Sequence, residues 1–196
     1  GVPAAPASPE GPKPSAIQYL TESEAMEPLI ERIKAAGIKV QSRKEEDPFG
    51  AGMLRVGNAT VCLTDGRTAT QTSFEDELPN VVMLDLSRDF ATSKRVVLAK
   101  GEETTAAALA DAVGLFRAVG FEVSVIEDVP GMIVARTIAM LANEGADAVL
   151  QGVADAVGVD TAMKLGLGHP EGPLATADRI GMTLINAILI NLQSHT

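Results

Sequence analysis

The chain has 196 residues and a formal net charge of −10 at pH 7. A chain of this length suits one domain or two small ones and can bury a substantial core. The negative charge argues against a nucleic-acid backbone or an anionic membrane as the main partner. No uninterrupted apolar run reaches membrane-spanning length. We therefore expect neither nucleic acid nor a membrane as a partner.

Cysteine and histidine are scarce. Cys62 is the only cysteine, so a disulfide framework is excluded and a reducing cytoplasm is the simplest location. A small buried strand residue explains Cys62 better than a nucleophile does. The two histidines, His169 and His195, are too few and too scattered for a typical metal site.

The first fourteen residues, GVPAAPASPEGPKP, are rich in proline, alanine and glycine. This composition predicts a linker or a disordered arm at residues 1–14 that forms no packed element. Because a native protein rarely begins with such a segment and without methionine, we interpret the sequence as the C-terminal part of a longer protein.

The next segment has the pattern of a β-α-β unit. Residues 16–20 form a short apolar run, apolar residues recur at helical spacing from Met26 to Ile33, and residues 38–40 are apolar again. Thr21 and Glu24 stand at the spacing of a capping box. The unit predicts two parallel strands joined by a helix.

A dinucleotide site in this unit would need three glycines between the strand and the helix. Glycines allow the tight turn and let the backbone approach the pyrophosphate. Residues 20–25 contain no glycine, and Glu22 and Glu24 would face the pyrophosphate. We therefore predict the shape of a dinucleotide-binding unit without its site, and we expect no NAD to bind this chain.

Further strands and a helix are predicted up to residue 129. Short apolar runs indicate strands at 53–56, 60–63, 81–84, 95–99 and 123–126. Residues 44–52 and 64–68 are loops, and Arg67 is interpreted as solvated rather than as a ligand for phosphate or carboxylate. Thr104 or Thr105 caps a helix that runs to Val119.

The last third of the chain predicts helices only. Apolar residues recur at helical spacing from Met132 to Val153, after a break at Pro130. Asp160 is predicted to open a second helix, and Leu174 a third. The final helix, 182–192, is apolar nearly all round, which indicates burial in the core or against a partner.

Two strings resemble those of one enzyme family. The string Asp160 to Leu174 keeps the D-TAM-LG-GHP-GPL pattern, and Lys100 to Thr104 reads KGEET. Both are similar to strings of the 3-hydroxyacyl-CoA dehydrogenases, the 3-hydroxybutyryl-CoA dehydrogenases among them. The resemblance implies an α/β domain followed by an all-α one. These are a Rossmann-like domain at 15–129 that lacks the glycine fingerprint, and a 6-phosphogluconate-dehydrogenase-like helical domain at 130–196.

The resemblance also places the family's catalytic positions. The catalytic histidine falls at Asp85, the glutamate that orients it at Val97, and the substrate-holding asparagine at Ala135. No catalytic residue is therefore expected in this chain. Some bacterial members of the family carry a complete first copy followed by such a degenerate half, and these share the LTDGRTA-like string found here at 63–69.

Three hypotheses follow. In the first, the parent protein oxidises 3-hydroxyacyl-CoA to 3-oxoacyl-CoA with NAD, and this chain docks to the catalytic N-terminal half or dimerises. In the second, the chain holds acyl-CoA, with Arg136, Lys164 and His169 as candidate binding residues. In the third, it is an independent enzyme that uses Asp85 or His169, although neither has an acid–base partner at a recognisable spacing.

Overall fold

The computed structural model describes residues 9–45 and 51–194, without the side chains of residues 44 and 45. The first eight residues of the predicted linker, most of the loop predicted at 44–52 and His195 lie outside this range. The strands are β1 Ala16–Thr21, β2 Lys39–Glu45, β3 Met53–Val56, β4 Ala59–Leu63, β5 Val81–Leu84, β6 Arg95–Lys100 and β7 Glu122–Ile126. The helices are α1 Glu27–Ala35, α2 Ala69–Glu75, α3 Ala106–Ala118, α4 Val134–Leu150, α5 Ala156–Leu167, α6 Pro173–Ile180 and α7 Met182–Gln193.

The seven strands form one mixed sheet in the order β2-β1-β3-β4-β5-β6-β7. The pairs β1–β2, β4–β5 and β6–β7 are parallel, and β3 is antiparallel to both of its neighbours. Strand β6 is antiparallel to β5. The parallel pair β1–β2 with α1 between its strands confirms the predicted β-α-β unit. Because β1, β4 and β5 run in the same direction, their carboxyl ends meet at one edge of the sheet.

The predicted helical stripe after β1 is buried, but the helix begins later than the predicted capping box. Leu29, Ile30 and Ile33 of α1 pack into the main hydrophobic cluster. Thr21 belongs to β1, and a short 3₁₀ turn, Glu24–Met26, precedes α1 without a side-chain cap. The capping-box prediction is therefore wrong, because the strand extends through the residue that would have capped the helix.

Residues 9–14 form no helix or strand, yet they pack against α3. A Cβ atom at Gly11 would lie 1.7 Å from the carbonyl oxygen of Ala110. A Cβ atom at Gly114 would lie 2.1 Å from the carbonyl oxygen of Pro12. Only glycine allows the two backbones to cross this closely. The described part of the predicted linker is thus a strap held on the surface of α3, which corrects the prediction of an unpacked arm.

The helix boundaries in the last third depend on two aspartates. Asp155 caps α5, since its Oδ1 accepts the N–H of Gly158 at 2.7 Å. Asp160 lies inside α5, so the prediction that it opens this helix is wrong. Its carboxylate instead accepts the N–H groups of Leu174 (2.9 Å) and Ala175 (3.0 Å), and it therefore caps the following helix, α6.

One hydrophobic cluster runs from the sheet through α1 and α3 into α4, α6 and α7. A smaller cluster on the other face of the sheet includes Cys62, Ala69 and Met132. Cys62 is buried in a strand, as predicted. No single helix in the described ranges is long and apolar enough to cross a membrane, although α6 and α7 pass that test as a pair bent by 105°.

Candidate functional site

A cleft of about 790 Å³ lies where the loops after β1 and β5 face helices α5 and α6. This position, beyond the carboxyl ends of parallel strands, is where open α/β sheets usually bind ligands. The cleft is lined by Glu24, Ala25, Pro28, Leu86, Ser87, Arg88, Asp89, Phe90, Asp160, Lys164, Pro170, Glu171, Gly172, Ala175, Arg179 and Ile180.

The three positions that the family resemblance assigns to catalytic residues meet at the end of β5. The backbone N–H of Asp85 donates to the carbonyl oxygen of Val97 at 3.0 Å. The backbone N–H of Ala135 donates to Oδ1 of Asp85, also at 3.0 Å. The fold therefore brings together residues that are up to 50 positions apart in the sequence, although none of the three carries the aligned catalytic side chain.

Asp85 is a buried helix cap. Its Oδ2 accepts the N–H groups of Ile133 (3.0 Å) and Val134 (2.8 Å), and its Oδ1 accepts those of Ala135 and Leu86. Burial raises the pKa of Asp85 above its usual value, while these four N–H groups act in the opposite direction. Since all acceptor positions of the carboxylate are occupied, Asp85 is not placed to take a proton from a substrate.

Two of the charged side chains that line the cleft bind each other. Glu171 and Arg179 form an ion pair at 2.6 Å, and Arg179 also donates to the carbonyl oxygen of Arg88 at 2.7 Å. The hydrogen bond from Arg179 lowers the pKa of Glu171 below its usual value. Arg88 and Lys164 form no ion pair with another described residue. These two cations are therefore the ones in the lining that could bind an anionic ligand, although the carboxylates of Glu24 and Asp89 line the same cleft.

The turn between β1 and α1 is filled by side chains. The backbone N–H of Ser23 donates to the hydroxyl of Tyr19 at 2.7 Å, and the side chain of Met26 is fully buried. Gly52 packs so closely on this turn that a Cβ atom there would lie 2.7 Å from the Cβ of Ser23. Pro28 occupies the first turn of α1 and has no N–H to offer a phosphate. The turn lacks the open glycine backbone that a pyrophosphate needs.

The segment at 63–69 forms a charged cluster with the end of α2. Arg67 binds Asp65 and Asp76, each at 2.9 Å, and Glu75 at 3.1 Å. Burial lowers the pKa of Arg67, but the hydrogen bonds that Arg67 donates to Asp76 and Asp65 outweigh this and hold the pKa above its usual value. The side chain of Arg67 is only 12% exposed. The interpretation of Arg67 as solvated is therefore wrong, because carboxylates of the chain itself enclose it.

The same segment, 63–69, also packs against the last helix, α7. Gly66 has a φ of +104°, and a Cβ atom there would lie 2.8 Å from the Cα of Ile188 in α7. The side-chain amide of Asn191 donates to the carbonyl oxygen of Asp65 at 2.9 Å. The sequence predicted a turn at Asp65-Gly66. It did not reveal that α7, more than a hundred residues later, packs against this turn.

Comparisons with known proteins agree with this architecture. Residues 61–130 match the family model described as "3-hydroxybutyryl-CoA dehydrogenase reduced Rossmann-fold domain". Residues 131–196 match the one described as "3-hydroxyacyl-CoA dehydrogenase, C-terminal domain". From residue 61 onward, the chain belongs to the 3-hydroxyacyl-CoA dehydrogenase family. The resemblance noted in the sequence and the predicted order of a Rossmann-like part and a helical part are thereby confirmed.

Two curated members of the family illustrate the degree of similarity. A 3-hydroxyadipyl-CoA dehydrogenase of Escherichia coli K12 is 35% identical over 144 residues, which cover 74% of this chain and 29% of that protein. A probable 3-hydroxybutyryl-CoA dehydrogenase of Bacillus subtilis is 31% identical over 121 residues, which cover 62% and 38% respectively. The matches therefore span well under half the length of these 3-hydroxyacyl-CoA dehydrogenases.

Solved structures of the family show the same fold. The crystal structure of a 3-hydroxybutyryl-CoA dehydrogenase from Escherichia coli K12 has a TM-score of 0.69 and 33% identity, and the match covers 78% of this chain and 30% of that one. A (S)-3-hydroxybutyryl-CoA dehydrogenase from Ralstonia eutropha has a TM-score of 0.64 at 15% identity, with 93% and 88% covered. The second match shows the fold alone.

Of the three substrate-binding candidates drawn from the family resemblance, the structure places one in the cleft. Lys164 lines it. His169 follows the end of α5, where its backbone N–H donates to the carbonyl oxygen of Met163, and its neighbour Pro170 lines the cleft instead. The guanidinium of Arg136 donates to the carbonyl oxygen of Pro130 at 2.9 Å, outside the cleft lining. Whether any of the three binds acyl-CoA stays a prediction.

Proposed function

We propose that this chain is the non-catalytic C-terminal part of an NAD-dependent 3-hydroxyacyl-CoA dehydrogenase. The parent protein would convert 3-hydroxyacyl-CoA to 3-oxoacyl-CoA, with NAD and the reacting groups held by its catalytic half. This part would dock onto that half or onto a second copy of itself. The observation that carries the proposal is helix α5, which is rich in apolar residues but has none that is buried.

The apolar side chains at the end of α4 and along α5 form what we call the helical surface. Its most exposed members are Leu150 (84%), Leu165 (82%) and Val153 (75%). Its full set is Met140, Val149, Leu150, Val153, Val157, Leu165 and Leu167. Each of these large apolar side chains is exposed to water, and protein interfaces commonly bury such side chains. A partner that covers the helical surface explains why these residues are apolar.

The site geometry supports a non-catalytic role. A dehydrogenase of this family needs a base for the 3-hydroxyl group and a nicotinamide to accept the hydride. The position of the base holds Asp85, whose carboxylate is occupied as a helix cap. The nucleotide turn is filled by Tyr19 and Met26 and lacks glycine.

We also place the protein in the cytoplasm, since its one cysteine, Cys62, is buried and a disulfide framework is excluded.

Sedimentation velocity of the whole chain tests the docking role. We expect wild-type protein to self-associate or to bind a separately produced catalytic half. The double variant Leu165→Glu and Leu167→Glu should do neither, because charges on the helical surface would have to be desolvated. The control places the same two charges on α3 as Ala106→Glu and Ala107→Glu, both at exposed positions. Wild-type protein that stays monomeric and ignores the catalytic half would contradict the proposal.

The second candidate function is that of an acyl-CoA-holding module. The observation that favours it is the pair Arg88 and Lys164, which line the cleft and form no ion pair with described residues. Titration calorimetry with acetoacetyl-CoA and with NADH separates the candidates. Absence of heat with both ligands supports the docking role. Acetoacetyl-CoA binding that Lys164→Ala abolishes supports the holding role, and micromolar NADH binding would contradict both.

A further inference from the structure

A small cavity lies at the start of β1, where β2 and β3 flank that strand. Its volume is about 230 Å³. We call it the sheet cavity, and it is lined by Ala16, Ile17, Gln18, Gln41, Arg55 and Gly57. None of these residues lines the cleft or belongs to the helical surface, so the sheet cavity is a separate feature.

Three of the lining residues stand side by side across three strands. Gln18 of β1 is the register partner of Gln41 on β2 and of Arg55 on β3. Partners on neighbouring strands carry their side chains on the same face of the sheet, close enough to bind one ligand together. Because neighbouring strands lie about 4.8 Å apart, the two amides and the guanidinium form a row about 10 Å long.

The row lies on the face of the sheet that α1 does not cover. Ile17 and Tyr19 flank Gln18 in β1, and both are buried in the main hydrophobic cluster together with residues of α1. Successive residues of a strand point to opposite faces, so Gln18 and its two partners point away from α1. Gln18 and Gln41 are exposed and Arg55 is half-buried, which leaves the row accessible from solvent.

The sheet cavity is cationic although the chain carries a net charge of −10. Arg55 lines it, and the lining contains no carboxylate. Lys39 precedes Gln41 by two residues in β2 and therefore shares its face of the sheet. Neither Arg55 nor Lys39 forms an ion pair with another described residue. Both positive charges are therefore left for a ligand.

One carboxylate lies close to the end of the sheet cavity. A Cβ atom at Gly57 would lie 2.2 Å from Oδ2 of Asp111 in α3. The same oxygen accepts the backbone N–H of Asn58 at 2.9 Å. Asp111 thus binds the turn between β3 and β4 rather than Arg55, and it leaves the guanidinium available.

A buried hydroxyl continues the polar row on the next strand. Thr60 of β4 is the register partner of Arg55. Its Oγ1 is buried and has no hydrogen-bond partner among the residues that the structure describes. Thr60 does not line the sheet cavity, but buried polar groups normally have a partner. A row of polar side chains that ends on an unsatisfied hydroxyl is more than packing requires.

We propose that the sheet cavity binds a small metabolite through a carboxylate or phosphate group. The guanidinium of Arg55 donates parallel N–H bonds to the oxygens of this group. The amides of Gln18 and Gln41 donate to the same group and accept from a hydroxyl beside it. Pockets for drug-sized ligands measure roughly 300–1,000 Å³, so the sheet cavity suits a smaller molecule than a coenzyme. The proposal is independent of the docking role, since the sheet cavity and the helical surface share no residue.

Titrations of the isotope-labelled full chain, followed by two-dimensional NMR, test the proposal. Sodium phosphate and sodium succinate are the probes, and sodium chloride at matched ionic strength is the reference. We expect phosphate or succinate to shift the side-chain amide signals of Gln18 and Gln41 and the backbone signals of residues 16–18 and 55–57. A response to phosphate alone assigns the site to phosphate groups, and a response to succinate alone assigns it to carboxylates.

Three variants separate a site from a general charge effect. Arg55→Gln should weaken binding at least about tenfold, since it removes the charged hydrogen-bond donor. Gln18→Glu, an exposed change of similar shape, should abolish binding because its carboxylate would occupy Arg55. Asn143→Asp on α4, also exposed, adds the same charge elsewhere and should leave binding unchanged.

Three results would overturn the proposal. The first is that neither probe shifts these signals more than sodium chloride does. The second is that Gln18→Glu binds the probe as well as wild type. The third is that Asn143→Asp weakens binding as much as Gln18→Glu, because the effect would then come from the net charge of the chain.

Discussion

The backbone N–H of Ala135 donates to the carboxylate of Asp85 at 3.0 Å, and this bond joins the end of β5 to the start of α4. The family resemblance assigns these two positions to the substrate-holding asparagine and the catalytic histidine. In this chain the contact between the two positions serves as a helix cap. A buried carboxylate at a helix N-terminus stabilises that helix through its hydrogen bonds and through the helix dipole.

Replacing Asp85 should therefore affect stability. Asp85→Ala removes the acceptor of three N–H groups at the start of α4, and we expect a loss of about 2–4 kcal/mol in the free energy of unfolding. Asp85→Asn keeps one acceptor oxygen and should lose less. Chemical denaturation followed by circular dichroism measures both. Asp147→Asn, an exposed change on α4, supplies the control and should stay within about 0.5 kcal/mol of wild type.

Introducing the family's catalytic residues at the three corresponding positions should not give this chain dehydrogenase activity. We expect the triple variant Asp85→His, Val97→Glu and Ala135→Asn to oxidise no NADH with acetoacetyl-CoA, because the turn before α1 offers no pyrophosphate site. Absorbance at the NADH band measures the rate, against a complete 3-hydroxybutyryl-CoA dehydrogenase as the positive control. Turnover above the uncatalysed background would show that the turn binds the nucleotide after all.

Gly66 and Gly166 should respond in opposite directions to the same substitution. Gly66 has a φ of +104°, and Gly66→Ala would put a Cβ atom 2.8 Å from the backbone of Ile188. We therefore expect this variant to lose about 2–4 kcal/mol in the free energy of unfolding. Gly166 lies inside α5, and an added methyl group there would meet nothing within 4 Å, so Gly166→Ala should stabilise by about 0.5–1 kcal/mol. Thermal unfolding of both variants checks the pair, and equal shifts would contradict the packing of α7 on Gly66.

The ion pair of Glu171 and Arg179 should make the free energy of unfolding depend on pH. Arg179 lowers the pKa of Glu171, so the pair contributes stability above the unfolded value of 4.5 and loses it as the pH falls through the lower folded value. Wild type should exceed Glu171→Gln by about 0.5–1 kcal/mol near neutral pH, since the pair is partly exposed. The difference should vanish near pH ~3. Denaturation curves across this range measure it, with Glu144→Gln on α4 as the control.

The regular elements of the sheet could be predicted because their signals are local. Strands β3 to β7 follow apolar runs, and α3 begins directly after its cap, Thr105, and ends before Gly120, as expected. Helix α2 was missed, since its sequence ATQTSFE lacks an apolar stripe. Its start is stabilised by Asp128, which lies 58 residues further along the chain, and no local pattern reveals such a partner.

The candidate site was harder to predict for the same reason. The family resemblance predicts Asp85 at the position of the catalytic histidine, but the groups that occupy its carboxylate come from residues some 50 positions away. Asp155 and Asp160 both fit a helix start by residue type, and only the position of α6 shows which helix each one caps. Short-range rules place a capping residue, but tertiary packing decides which helix end it serves.

The hydrophobic cluster that runs from the sheet into α4, α6 and α7 crosses residue 130, where the two matched family regions meet. We therefore expect the sheet and the helices to unfold together, although the two matched regions meet at residue 130. If recombination exchanged these helices for those of another family member, Gly66, which packs against α7, and Asp85, which caps α4, would have to be exchanged as well. Evolution of these helices is thereby tied to positions in the sheet.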